Sequence, residues 1–96
     1  MEVSIFGKPG CAKCETTKNK LSHFLTRWGI TDKVSLKFFD MSTMDGMAEG
    51  AYHDVLNIPT VIIHRDDEAV ARWDGEVPQS KEVRAHLQET ADASAD

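Results

Sequence analysis

The segment Lys8-Pro9-Gly10-Cys11-Ala12-Lys13-Cys14 constrains this chain more than any other. It follows a short apolar run, Val3-Ser4-Ile5-Phe6, and leads into a stretch of helical periodicity. Its cysteines are the only 2 in 96 residues. Two thiols at this spacing, where a strand turns into a helix, can close into a disulfide and open again. Residues i and i+3 of a helix lie roughly 5–6 Å apart at Cβ, which disulfide geometry accepts. Cys11 stands at the helix start, where free N–H groups and the positive dipole end favour an anion. Lys8 and Lys13 add positive charge, so Cys11 is expected to be the attacking thiolate. Cys14 shares a face with Leu21, seven residues on, and that face looks to the core. It is expected to be the resolving thiol that releases a mixed disulfide. Three other readings stay open: inert thiols, a static bridge, or half of a metal site. A zinc site takes four ligands, and His23, His53, His64 and His86 are scattered without ligand spacing. A copper-chaperone domain also begins strand–CxxC–helix, but it should end on a strand, and this pattern ends on a helix.

Periodicity places the remaining elements. Residues 2–6 alternate as a strand, and Gly7 to Gly10 form a turn. From Cys11, the positions Cys14, Thr17, Leu21, Phe24/Leu25 and Trp28 recur at helical steps, and Gly29 caps the end. Residues 34–39 read as a second strand. Ser42 is the expected N-cap of a second helix, with Asp45 three residues on. That helix carries Met44, Met47/Ala48, Ala51/Tyr52 and Val55, is weakened by Gly46 and Gly50, and stops before Ile58-Pro59. Residues 60–64 form a third, central strand and 69–73 a fourth. Pro78 and Ser80 introduce a last helix bearing Val83 and Leu87. The expected fold is α/β: a mixed four-stranded sheet in the order βαβαββα, with helices on both faces. β1 and β2 run parallel through a right-handed crossover, and the last two strands form an antiparallel hairpin. Residues 1–90 form one domain, and 91–96 an acidic tail expected to be disordered.

The net charge of -5 argues against nucleic acid or an acidic membrane as partner. No run of 18 apolar residues suits a membrane span. No basic-then-apolar leader precedes the first strand, so a cytoplasmic location is expected. There a lone CxxC is more often catalytic or metal-binding than a permanent bridge. The charge is uneven. Lys8, Lys13, Lys18, Lys20, Arg27, Lys33 and Lys37 face only Glu15 and Asp32 over residues 8–37, and acids dominate thereafter. This is either a pair of solvated faces or a basic collar that favours a thiolate and an acidic partner.

Residues 3–21 resemble the glutaredoxin branch of the thioredoxin superfamily. The pattern Lys8-Pro9-x-Cys11-x-x-Cys14-x-x-Thr17-Lys18-x-x-Leu21 is most similar to NrdH-type redoxins, which pass electrons from thioredoxin reductase to ribonucleotide reductase. Ile58-Pro59-Thr60 matches the superfamily's cis-proline motif; without it, Ile58-Pro59 would be read as trans. Trp73-x-Gly75-x-x-Pro78 resembles the Trp-Ser-Gly-Phe-Arg-Pro segment of the same redoxins. The likeness spans roughly residues 2–89 and implies a minimal thioredoxin fold.

By that resemblance Cys11 is the nucleophile and Cys14 the resolving residue. Ile58 offers backbone hydrogen bonds to a partner chain beside cis-Pro59 and Thr60, and Trp73, Asp74 and Gly75 border the substrate. Lys8 matches the lysine that contacts a glutathione carboxylate. Departures are plain. The Gly-Gly-x-[Ser/Thr]-Asp loop that holds glutathione is absent, with Trp73-Asp74-Gly75-Glu76 in its region. Ser-Gly-Phe-Arg is replaced by Asp-Gly-Glu-Val. Gly10 stands where thioredoxins place Trp, and Ile5 where they bury an Asp. The expected function is thiol–disulfide exchange that reduces protein disulfides, with no bound cofactor because the cysteines carry the electrons. The electron donor is thioredoxin reductase or glutathione, and the protein acts as a monomer.

Overall fold

In the computed structural model, residues 1–66 and 68–95 are described, with side chains through Leu87. Among them the order is β1 (Glu2–Gly7), α1 (Ala12–Trp28), β2 (Ser35–Asp40), α2 (Met44–Tyr52), β3 (Thr60–Arg65), β4 (Glu68–Asp74) and α3 (Ser80–Ala95). This is the expected βαβαββα order. The helix backbone of α3 continues to Ala95, into the segment 91–96 expected to form a tail; the side chains of that segment, and Asp96, lie outside the described residues.

The strands form one sheet in the order β2-β1-β3-β4. β1 is parallel to β2 and antiparallel to β3, and β3 is antiparallel to β4. Strand side chains alternate between faces, and the two faces are filled differently. Val3, Ile5, Val61, Ile63 and Trp73 pack with Leu21 and Leu25 of α1 and Val83 and Leu87 of α3. The other face joins Phe6, Ile62 and Val55 to Phe39 and Met41. Each such aliphatic side chain, fully buried, contributes about 1.5–3 kcal/mol. The first core therefore carries most of the stability and seats α1 on the strand that precedes it.

The second helix departs from expectation. Its N-cap is Thr43, whose hydroxyl accepts the Gly46 N–H at 3.0 Å, and not Ser42. Ser42 is engaged elsewhere: its N–H (2.9 Å) and hydroxyl both donate to Asp40 Oδ1, closing the turn after β2. Met44 and Tyr52, apolar positions of this helix, are exposed, at 83% and 81%, whereas Val55, expected within it, lies beyond its end and is buried. Within the helix Gly46 and Gly50 are the buried positions instead. A Cβ at Gly46 would overlap the Asp40 carbonyl. Backbone meets backbone there, so glycines face inward and the methionines point away.

Candidate redox site

The residues singled out above gather at one end of the sheet. Gly7 ends β1 opposite Asp40, Phe6 pairs with Thr60, and Thr60 pairs with Asp74. The turn after β1, the loop into β3 and the loop after β4 therefore leave from neighbouring strand ends.

The turn Lys8–Cys11 is closed by the Cys11 N–H donating to the Lys8 carbonyl at 3.3 Å. Pro9 and Gly10 occupy its centre, and Gly10 has φ 82. Proline followed by a glycine at positive φ is what a type II turn demands. The turn delivers Cys11 to the N-cap of α1 in extended conformation, φ -84 and ψ 113, so the helix begins at Ala12, one residue after the expected start. Its sulfur accepts the Cys14 N–H at 3.2 Å. Cys11 is partly exposed, whereas Cys14 is 0% exposed. The two are joined as a disulfide, with Cα atoms 5.2 Å apart. The Cys14 N–H and the positive end of the helix dipole are aimed at the Cys11 sulfur, a setting that favours negative charge there.

Gly7 is the site residue that sequence reasoning missed, having read it only as the start of a turn. A Cβ there would lie 2.8 Å from both Cβ and Sγ of Cys14. The strand end and the buried sulfur thus occupy neighbouring volumes that only a hydrogen on Gly7 allows. A glycine at a strand end, directly before a cysteine turn, is a legible sign of close approach.

The Ile58–Pro59 peptide is cis. Thr60, fully buried, donates its hydroxyl to the Asn57 carbonyl at 2.6 Å and pins the loop ahead of it. Gly75, at φ 72, donates its N–H to the Pro59 carbonyl at 2.8 Å. The loop after β4 is therefore tied to the cis-proline loop, while Ile58 remains partly exposed. Lys8 and Ile58 line one depression of about 270 Å³ with Met41, Met47, Val55 and Leu56.

Other expected residues sit less openly. Trp73 is 8% exposed and packs in the main core, where its indole N–H donates to Glu82 at 2.9 Å. Its side chain holds α3 to β4 and does not line a surface. Asp74 is exposed but paired with Arg72 at 2.9 Å. The same guanidinium donates to the carbonyls of His53 and Asp54, so Arg72 clamps the end of α2 to β4. Sequence reasoning missed this clamp because its partners lie 18 and 19 residues away. Asp40 is held below its ordinary pKa by the Ser42 hydroxyl and N–H, with a further contribution from the Lys8 charge. His53 and His64, scattered in sequence, bring their ring centroids to 5.2 Å. Among the described residues no cluster of three or more His, Cys, Asp or Glu side chains is placed to hold a metal. None of their helices is long and apolar enough to cross a membrane.

Against solved structures, the chain superposes on thioredoxin 1 of Thermosipho africanus with TM-score 0.75 at 18% identity, covering 100% of both chains. A malaria-parasite thioredoxin-2 gives TM-score 0.76 at 18% identity over 92% of this chain and 81% of that one. Thioredoxin O2 of Arabidopsis thaliana gives 0.73 at 12% identity over 92% of this chain and 72% of that one. At such identities these likenesses speak to the fold. A search of curated protein sequences returned no match. A family model described as a thioredoxin domain covers residues 1–88, and the chain belongs to that thioredoxin-domain family.

Proposed function

We propose that this protein is a dithiol oxidoreductase that reduces protein disulfides. One observation carries the reading: a partly exposed cysteine at a helix N-cap, its sulfur receiving a backbone N–H, bonded to a fully buried partner cysteine. In the reduced protein the Cys11 thiolate attacks one sulfur of a substrate disulfide. A Cys11–substrate bond forms, the substrate S–S bond breaks, and the first substrate thiolate leaves. The Cys14 sulfur then attacks Cys11 Sγ, closing the internal disulfide and expelling the second thiolate. Two electrons pass to the substrate. The Cys14 proton passes to the released substrate sulfur or to solvent; among the described residues the buried polar side chains, Ser4, Thr17 and Thr60, carry only hydroxyls. Position 5, an isoleucine at 0% exposure, supplies no base. Ile58, beside cis-Pro59, is partly exposed in the depression it shares with Lys8, and its backbone would pair with an extended substrate chain. The protein works as a cytoplasmic monomer without a bound cofactor.

The NrdH-like reading, with thioredoxin reductase as donor, is supported by the Trp73-x-Gly75-x-x-Pro78 segment and by the missing glutathione loop. One feature favours the glutathione-dependent reading: exposed Lys8 borders the same depression as Ile58, within reach of a carboxylate. Repulsion of glutathione by Asp74 is blunted by its Arg72 partner. The test compares reduction of the oxidised protein by NADPH with thioredoxin reductase and by glutathione with its reductase. Faster turnover with thioredoxin reductase is expected; faster turnover with glutathione reverses the donor. Cys14→Ser should trap a mixed disulfide with a protein substrate and Cys11→Ser should not. Failure of both variants to trap, with no turnover by either donor, favours a non-catalytic module.

A further inference from the structure

The excess of cations over residues 8–37 is not used up by the redox site. One of these cations, Arg27, meets Lys81 and Arg84 of α3 at the seam between the C-terminal half of α1 and the start of α3. A cleft there is lined by Phe24, Arg27, Trp28, Ser80, Lys81 and Arg84. Arg27, Lys81 and Arg84 are exposed, and among the described residues none has a carboxylate partner. The lining includes no acid, although the chain as a whole carries -5. Phe24 and Trp28 are partly buried and stacked, centroids 5.2 Å apart at 14°. Lys20 extends the same helix face, its ammonium 5.7 Å from the Phe24 ring centre. At about 1.5 Å of rise per residue, Phe24 lies roughly 20 Å along α1 from Cys11.

Like charges held together without counter-charges repel, and an acidic ligand relieves that repulsion. Arginine forks take carboxylates in paired hydrogen bonds, and a stacked aromatic floor accepts an apolar side chain. The cleft is open to solvent rather than enclosed, which suits a chain segment more than a buried small molecule. We propose that the α1–α3 seam is a docking site for an acidic segment of a partner protein, with carboxylates on Arg27, Lys81 and Arg84 around an apolar residue on Phe24 and Trp28. It is separate from the cysteines and independent of their chemistry.

The probe is a blocked peptide with four carboxylates around one phenylalanine, titrated into the isotope-labelled full chain and followed by NMR. Its counterpart carries lysines in place of the acids. A protein of net negative charge repels the acidic peptide in general, so binding reports the local patch. We expect shifts at residues 24–28 and 80–84, including the Trp28 indole, with none at Cys11 or Cys14. Affinity should fall as salt rises and the Debye length shrinks below about 8 Å. The double variant Arg27→Glu/Arg84→Glu should weaken binding about tenfold or more, as loss of charge pairing at an interface does. Both residues are exposed, and Arg27→Gln/Arg84→Gln supplies a second reading if the reversal disturbs folding. The proposal is overturned by absence of shifts at the seam, by equal binding of the lysine peptide, by inorganic phosphate producing the same shifts with equal affinity, or by unchanged affinity in the variants.

Discussion

Replacing Gly7 with alanine tests how closely α1 is seated on the strand that carries it. The new Cβ would lie 2.8 Å from both Cβ and Sγ of Cys14 and 3.3 Å from the Phe38 ring. The Cys14 Cβ is fixed to the helix backbone and no rotamer withdraws it, so the start of α1 must lift or the strand end must shift. Overpacking of this kind costs about 1–3 kcal/mol. Gly7 does not sit in the left-handed region, so alanine adopts its backbone freely and recovers about 0.4–1 kcal/mol by restricting the unfolded chain. Taking central values of about 2 and about 0.7 kcal/mol, the net loss is roughly 1–2 kcal/mol. For a domain of this size each kcal/mol moves Tm by about 4–8 °C, so a fall of roughly 5–15 °C is expected in a circular-dichroism melt of the oxidised protein. Gly50→Ala is the control. Its Cβ would meet Met41 Sδ at 2.7 Å, the far part of a flexible side chain that can swing aside. Gly50 also lies inside α2, where alanine is favoured over glycine by about 1 kcal/mol. Its Tm should hold or rise. Equal changes in the two variants, or a fall below about 2 °C for Gly7→Ala, would refute the close-packing argument.

The reduced protein should alkylate at Cys11 with a pH midpoint below the free-thiol value of about 8.5; a midpoint at that value removes the case for Cys11 as nucleophile. Arg72→Ala should lower stability by about 1–2 kcal/mol, because hydrogen bonds to a charged group are worth more than neutral ones and exposure discounts them. Arg72→Lys should recover little, since one ammonium cannot span Asp74 and the His53 and Asp54 carbonyls together; denaturant melts of the three proteins decide it. Glu2 is held below its ordinary pKa of 4.5 chiefly by its hydrogen bond to Lys37, with further help from the Lys37 charge, Ser4 and His64. A depressed carboxylate stabilises the fold above its unfolded pKa and loses that contribution as pH falls through the lower folded value. Glu2→Gln should therefore be less stable than the parent at pH near 7 and equal to it in strong acid, measured by parallel melts; a gap that persists at low pH contradicts the assignment.

Much of this protein was legible in one dimension because the signals were local. Strand alternation, the 3.6-residue recurrence from Cys14 to Trp28 and the helix-stopping Gly29 follow from backbone sterics that each residue carries with it. So does the turn Lys8–Cys11, in which Pro9 and Gly10 supply the required dihedrals. Spacing alone put Cys11 and Cys14 within bonding reach and at a helix start. The cis state of Ile58-Pro59 was different: local energetics favour trans, and it was foreseen by likeness and not by physics. What needed the folded chain was every relation decided by how closely elements approach. The apolar residues of α2 recur at helical steps, yet Gly46 faces in against the Asp40 carbonyl and Gly50 against the Met41 side chain, while Met44 and Tyr52 face out. Gly7 became a site residue only when α1 folded back over its own strand. Trp73 turned from a surface candidate into a core anchor once Glu82 met its indole. Arg72 found its partners across a crossover, and Arg27 met Lys81 and Arg84 only when α1 and α3 came to share one face of the sheet. Sequence sets what each residue can do over a turn or two; tertiary packing sets which distant residues do it together, because side-chain reach is a few ångströms and only the fold closes the larger gaps.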